Sequence, residues 1–197
     1  MPKYPPFSLD LFKMGYFILY RNDGGLFGNA IVKRQLLAGI NPNDTVYTHI
    51  EISGGGEYSV NISPPISKLI KITEHHKGRH IKIVRYKDED YEKRGRYKVA
   101  YFSATLCNKG YDVKGILAFV FKWIKQDNRL FFCSEGAGWA LQKEYPYALN
   151  NENPDKLMPG HFLNRVLLET VWEGEIPDET EKTECNKTAD KEVKAGN

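Results

Sequence analysis

The sequence predicts an α+β domain, and three observations carry that expectation. Strand-like alternation is concentrated before residue 86, in VYTHIEIS (46–53), EYSVNI (57–62) and HIKIVR (80–85). Helical spacing of apolar residues dominates from 89 to 143. The order of strands, then helices, departs from the βαβ rhythm that builds a doubly wound parallel sheet.

Taken in order, GYFILYR (15–21) is a continuous apolar run and predicts a strand buried on both faces. Residues 27–38 place Ala30, Ile31, Leu36 and Leu37 at helical intervals and end at Gly39, a helix stop signal. The strands at 46–53 and 57–62 follow, the second halted by Pro64-Pro65. HIKIVR is the next strand. Tyr97, Ala100, Tyr101 and Ala104 predict an amphipathic helix over 89–107. Residues 113–124 are apolar nearly all round, yet fall short of the ~20 residues a membrane span needs, so they predict a buried helix. Leu130–Phe132 leads as an extended segment into Cys133, residues 134–143 form a helix, and 165–172 form a closing strand.

A length of 197 residues fits one domain with a tail. Hydrophobic residues at 41% and charged residues at 27% exclude collagen-like and wholly disordered classes. The formal net charge of +3 is unevenly spread. From Glu173 onward eight acidic residues face four lysines, a net of −4, which leaves +7 on residues 1–172. The domain is therefore assigned to 1–172 and a flexible acidic tail to 173–197. The basic body reads as a solvated lysine-rich surface, with no motif for a specific nucleic acid.

Cys107, Cys133 and Cys185 are an odd, widely spaced set, which rules out a disulfide scaffold and a CxxC metal knuckle. The opening MPKYPPFSLDLF has no basic region followed by an apolar run, so no secretory signal is expected and the chain is assigned to the cytoplasm. Phosphate loops, dinucleotide fingerprints, HExxH and GxSxG are absent from the sequence.

What remains is a cysteine and a histidine. Cys133 sits where an extended segment enters a helix. A helix N-terminus carries partial positive charge and unpaired N–H groups, which favour a thiolate and can hold an oxyanion. In VYTHIEIS, Tyr47, His49, Glu51 and Ser53 share one face. If Gly54-Gly55-Gly56 forms a three-residue hairpin loop, Ser53 pairs with Glu57 and Asn61 stands opposite His49. The Asn61 amide could then orient the imidazole. Glu51 and Glu57 are its rivals, with Glu51 disfavoured because residues i and i+2 of a strand lie ~6.6–6.8 Å apart. His75, His76 and His80 in ITEHHKGRH read as a solvated basic loop rather than a metal site, Asp112 as the cap of the following helix, and His161 as packing near the end of the domain.

THIEIS (48–53), GYD (110–112) and FFCSE (131–135), in that order, resemble the permuted papain-like enzymes of the YaeF/YiiX-like branch of the NlpC superfamily. That branch is similar to the lecithin:retinol acyltransferase-like proteins. The glycine-led first strand at Gly15–Tyr20 and Pro154–Leu157 after the cysteine helix fit the same pattern. The resemblance spans about residues 14–165 and implies a papain-like fold of circularly permuted topology, with an antiparallel sheet packed on helices. It implies Cys133 as nucleophile, His49 as base, a third residue that varies among members, and Tyr111 as an active-site tyrosine. It also implies a cysteine peptidase or amidase that forms a thioester on an amide or acyl bond without metal or organic cofactor. The expected substrates are a peptide, a peptidoglycan-like linkage or a lipid acyl group, the last with peripheral membrane contact. Gly136 departs from the pattern, which has a bulky aliphatic residue after Cys-Ser-Glu. The rival function is a non-catalytic module whose basic body holds an anionic partner.

Overall fold

In a computed structural model, residues 3–112, 131–164 and 166–178 are described. The strands are β1 (Phe17–Arg21), β2 (Tyr47–Gly55), β3 (Tyr58–Asn61), β4 (Lys68–Lys71), β5 (His80–Tyr86) and β6 (Leu168–Glu175). They form one antiparallel sheet in the order β4-β3-β2-β1-β5-β6. The helices are α1 (Leu26–Leu37), α2 (Ile72–His75), α3 (Arg96–Ala104, entered through a π-helical turn at Tyr91–Gly95) and α4 (Cys133–Glu144). The α+β class is thus observed.

The hydrophobic run of β1 places that strand near the sheet's middle, with Phe17, Ile18, Leu19 and Tyr20 all buried. Gly15 precedes it at φ +84, and a Cβ there would lie 2.1 Å from the carbonyl oxygen of Arg96. Only glycine lets the chain enter the sheet so close to α3. Its carbonyl accepts from the buried Tyr91 hydroxyl at 2.5 Å.

The hairpin is where expectation and structure part. Ile52 pairs with Val60 and Ser53 with Ser59, and a bulge brings Gly55 opposite Tyr58. This register is two residues away from the expected one, so each strand still matches face to face, but Asn61 is no longer opposite His49. The cause lies in the turn: Gly55 and Gly56, at φ +98 and +58, shorten the loop and extend β2.

The sequence pattern does not announce β4 or α2. The run KLIKI (68–72) is too short for its alternation to stand out, and α2 is a single turn in a segment read as a solvated loop. β6 extends to Glu175, so the expected domain end at 172 falls inside a strand. The apolar run at 113–124, Arg165, most of the acidic tail and Cys185 lie outside the described residues.

Candidate active site

β2 carries His49 and Glu51 on one face, and that face is buried. Glu51, Ser53 and Ser59 are fully enclosed. A carboxylate this deep must be compensated by donors. Glu51 has four. Its Oε1 faces His49 Nε2 at 3.3 Å and His76 Nε2 at 2.8 Å. Its Oε2 accepts from the Tyr20 hydroxyl at 2.9 Å and the Ser59 hydroxyl at 2.5 Å. Burial alone would push the Glu51 carboxyl up, but the hydrogen bonds and charges of His49 and His76 hold it well below the usual carboxylate range. The Tyr20 hydroxyl is raised well above its ordinary value by burial and by Glu51, so it remains a donor.

His49 contacts this carboxylate and also interacts with the sulfur of Cys133. Burial pushes the imidazole pKa down. Hydrogen bonding to Cys133 and Glu51, and their negative charge, outweigh it and raise the pKa to about 10. Glu51 holds Nε2, which leaves Nδ1 as the nitrogen available to the thiol.

Cys133 opens α4 as expected. Phe132 before it is extended, at φ −99 and ψ 170, and Gly136 N–H closes the first turn on the Phe132 carbonyl at 2.9 Å. Two side chains fix this start. Ser134 donates to the Leu157 carbonyl at 2.7 Å, and the Phe132 N–H donates to Glu135 at 3.3 Å. The Glu135 carboxyl is pushed up to about 7, mainly by burial. The glycine that departs from the family pattern has a steric reason. A Cβ on Gly136 would stand 2.4 Å from Ile62 Cδ1, and one on Gly138 would stand 2.1 Å from Leu157 Cδ1. A larger residue at either place requires the end of the Ile62 or Leu157 side chain to move.

Tyr111 reaches the site from the other side. Its N–H donates to the Pro65 carbonyl at 3.2 Å, and the Asp112 N–H donates to the Phe131 carbonyl at 3.0 Å. Tyr111 and Phe131 form a parallel bridge, which brings the tyrosine beside the start of α4. Burial, then the charges of Cys133 and Asp112, raise its hydroxyl well above the ordinary value, partly offset by a hydrogen bond from the Cys133 N–H. The cap expected of Asp112 falls on residues outside those described.

Two of the expected residues, His49 and Cys133, meet, with Tyr111 adjoining. Asn61 does not join them. It is buried, and among the described residues its Oδ1 has no partner and no hydrogen bond links it to His49. Glu57 pairs instead with Lys71 at 3.4 Å. Glu51 is the carboxylate in contact with the imidazole, because two long side chains lean together across the i, i+2 spacing. His76, expected in a solvated loop, is folded against Tyr20 with ring centroids 4.1 Å apart. Nothing in the local sequence distinguishes it from His75. His161 accepts from the Met158 N–H at 3.1 Å, and its ring pKa is lowered by burial.

Among the described residues, no group of three or more His, Cys, Asp or Glu is arranged to hold a metal ion. Nor is any described helix long and apolar enough to cross a membrane. The chain matches no protein-family model, no curated protein and no solved structure.

Proposed function

We propose that this chain is a cysteine-dependent hydrolase or acyltransferase of permuted papain-like topology, acting on an amide or acyl bond. The observation that carries the reading is His49 in contact with the buried Glu51 carboxylate and interacting with the Cys133 sulfur at the first residue of a helix. Oriented nucleophile–base–carboxylate sets of this kind perform acyl transfer on unrelated folds. The order of histidine strand before cysteine helix supports the permuted topology.

In this mechanism His49 takes the Cys133 proton and stays beside the sulfur as imidazolium. Glu51 compensates that cation and fixes the ring. The sulfur attacks the carbonyl carbon, and the tetrahedral oxyanion enters between the Cys133 N–H and the Tyr111 hydroxyl, displacing the hydrogen bond they share. Collapse expels the leaving group, which takes the proton from His49, and leaves a thioester. Water or another acceptor, deprotonated by His49, releases the acyl group. A peptide, a peptidoglycan-like linkage or a lipid acyl group fits this chemistry.

The test is selective alkylation. Cys133 should react with iodoacetamide near neutral pH ahead of Cys107, whose thiol is pushed up by burial. His49→Ala should slow Cys133 and leave Cys107 unchanged. Cys133 is only 3% exposed, so the smaller reagent methyl methanethiosulfonate is used in parallel. Equal rates at the two cysteines with both reagents would overturn the proposal.

A further inference from the structure

Two histidines share one carboxylate oxygen, and the one outside the reacting set is closer. Glu51 Oε1 lies 2.8 Å from His76 Nε2 and 3.3 Å from His49 Nε2. The Tyr20 and Ser59 hydroxyls hold only the other oxygen, Oε2. The two oxygens turn together about Cγ–Cδ, so donors on both sides hold the plane of the carboxylate in common. On the side that faces His49, His76 is the closer partner of Oε1, and the longer His49 contact is the weaker of the two.

We propose that His76 is a positioning residue, acting through Glu51 to hold the His49 imidazole in line with Cys133. This rests on the reading of Cys133, His49 and Glu51 as the reacting set. His76 follows the single turn of α2, and its backbone N–H is tied to the Ile72 carbonyl at 2.9 Å. Tyr20 of β1 packs on its ring and bonds the same carboxylate, so the stack and the hydrogen bond select one ring orientation. Among the described residues, Glu51 of β2 and the Tyr20 ring of β1 contact His76, His75 at the end of α2 lies 6.4 Å away between ring centroids, and His49 of β2 and Ser59 of β3 share the Glu51 carboxylate. Arg79 adds positive charge near Tyr20. Second partners of this kind orient a reacting histidine in metal sites, where their loss costs about 10–100-fold.

The experiment follows Cys133 alkylation against pH in the full chain. His76→Ala should slow the rate at pH 7 by roughly tenfold and lower the alkaline midpoint, because Glu51 no longer holds the imidazolium in place. His76→Gln places an amide N–H near the position of Nε2 and should restore both. A role confined to stability would lower the melting temperature of His76→Ala while leaving its alkylation profile at wild type, and that result overturns the proposal. Equal loss in His76→Ala and His76→Gln overturns it too, since donation to Glu51 would then be irrelevant. Should His76→Ala fail to fold, long-range 1H–15N spectra of the wild-type chain decide: His76 must carry its proton on Nε2 at neutral pH, and an unprotonated Nε2 refutes donation. His49→Ala is the separate control. If it slows Cys133 while His76→Ala does not, only this inference fails. If neither variant slows Cys133, the assignment of the reacting set fails with it.

Discussion

Glu51 Oε1 stands 3.3 Å from His49 Nε2, although the two residues are next-but-one neighbours on a single strand. Cβ atoms at that spacing are too far apart for contact, but the imidazole and the carboxylate are both long enough to close the gap. The partner of the histidine thus comes from its own strand rather than from across the hairpin.

Exchange of the carboxylate should therefore matter more than exchange of the hairpin amide. Glu51→Gln is expected to slow Cys133 alkylation by about 10–100-fold, the range typical when an orienting partner of a reacting histidine is lost. Asn61→Ala should stay close to the wild-type rate. A wild-type rate for Glu51→Gln, with Asn61→Ala slow, would return the role to Asn61.

The raised His49 pKa makes stability depend on pH with a definite sign. The imidazole titrates near 6.5 when unfolded and near 10 when folded, so between these values the folded state binds more protons. The contribution is fully present below about pH 6.5 and is lost as pH rises through about 10. The urea midpoint should fall from pH 7 to pH 10, and His49→Ala should flatten that slope.

Glu135 produces a second slope, in a lower window. Its carboxyl is pushed up to about 7 from an ordinary value of 4.5, mainly by burial. The folded state therefore holds this proton where the unfolded chain has lost it, and stability falls as pH rises from about 4.5 to 7. Glu135→Gln keeps the acceptor for the Phe132 N–H and removes the charge. The variant should gain stability relative to wild type at pH 8 and show no gain at pH 4. Equal effects at both values would show that the carboxyl titrates as it does in the unfolded chain.

The tight seat of α4 gives a steric prediction. Gly136→Val inserts atoms where a Cβ already meets Ile62 Cδ1 at 2.4 Å and Leu106 Cδ1 at 3.1 Å. Overpacking of this kind costs about 1–3 kcal/mol, or roughly 2–12 °C in melting temperature for a chain of this size. Adding Ile62→Ala should recover part of the loss, because the obstructing atom is the end of that side chain. Additive losses in the double variant would place the strain elsewhere.

Local pattern made much of this molecule legible. The apolar run GYFILY marked a strand buried on both faces, alternation marked β2, β3 and β5, and Gly39 marked the end of α1. The extended-to-helical switch at Phe132–Cys133 was readable because it depends on neighbours in sequence. The strand register was not. Two pairings that differ by two residues match the same faces, so the hydrophobic pattern cannot choose between them, and the left-handed glycines of the turn decided. His76 was beyond local reading for a different reason. Its partners Glu51 and Tyr20 lie 25 and 56 positions away, and only folding brings a buried carboxylate within reach of a histidine that looks like any other in a basic stretch. The sequence by itself determined which residues could react and in what order they run along the chain. Tertiary structure decided which carboxylate faces the imidazole, because burial makes an unpaired charge costly and gathers every available donor around it.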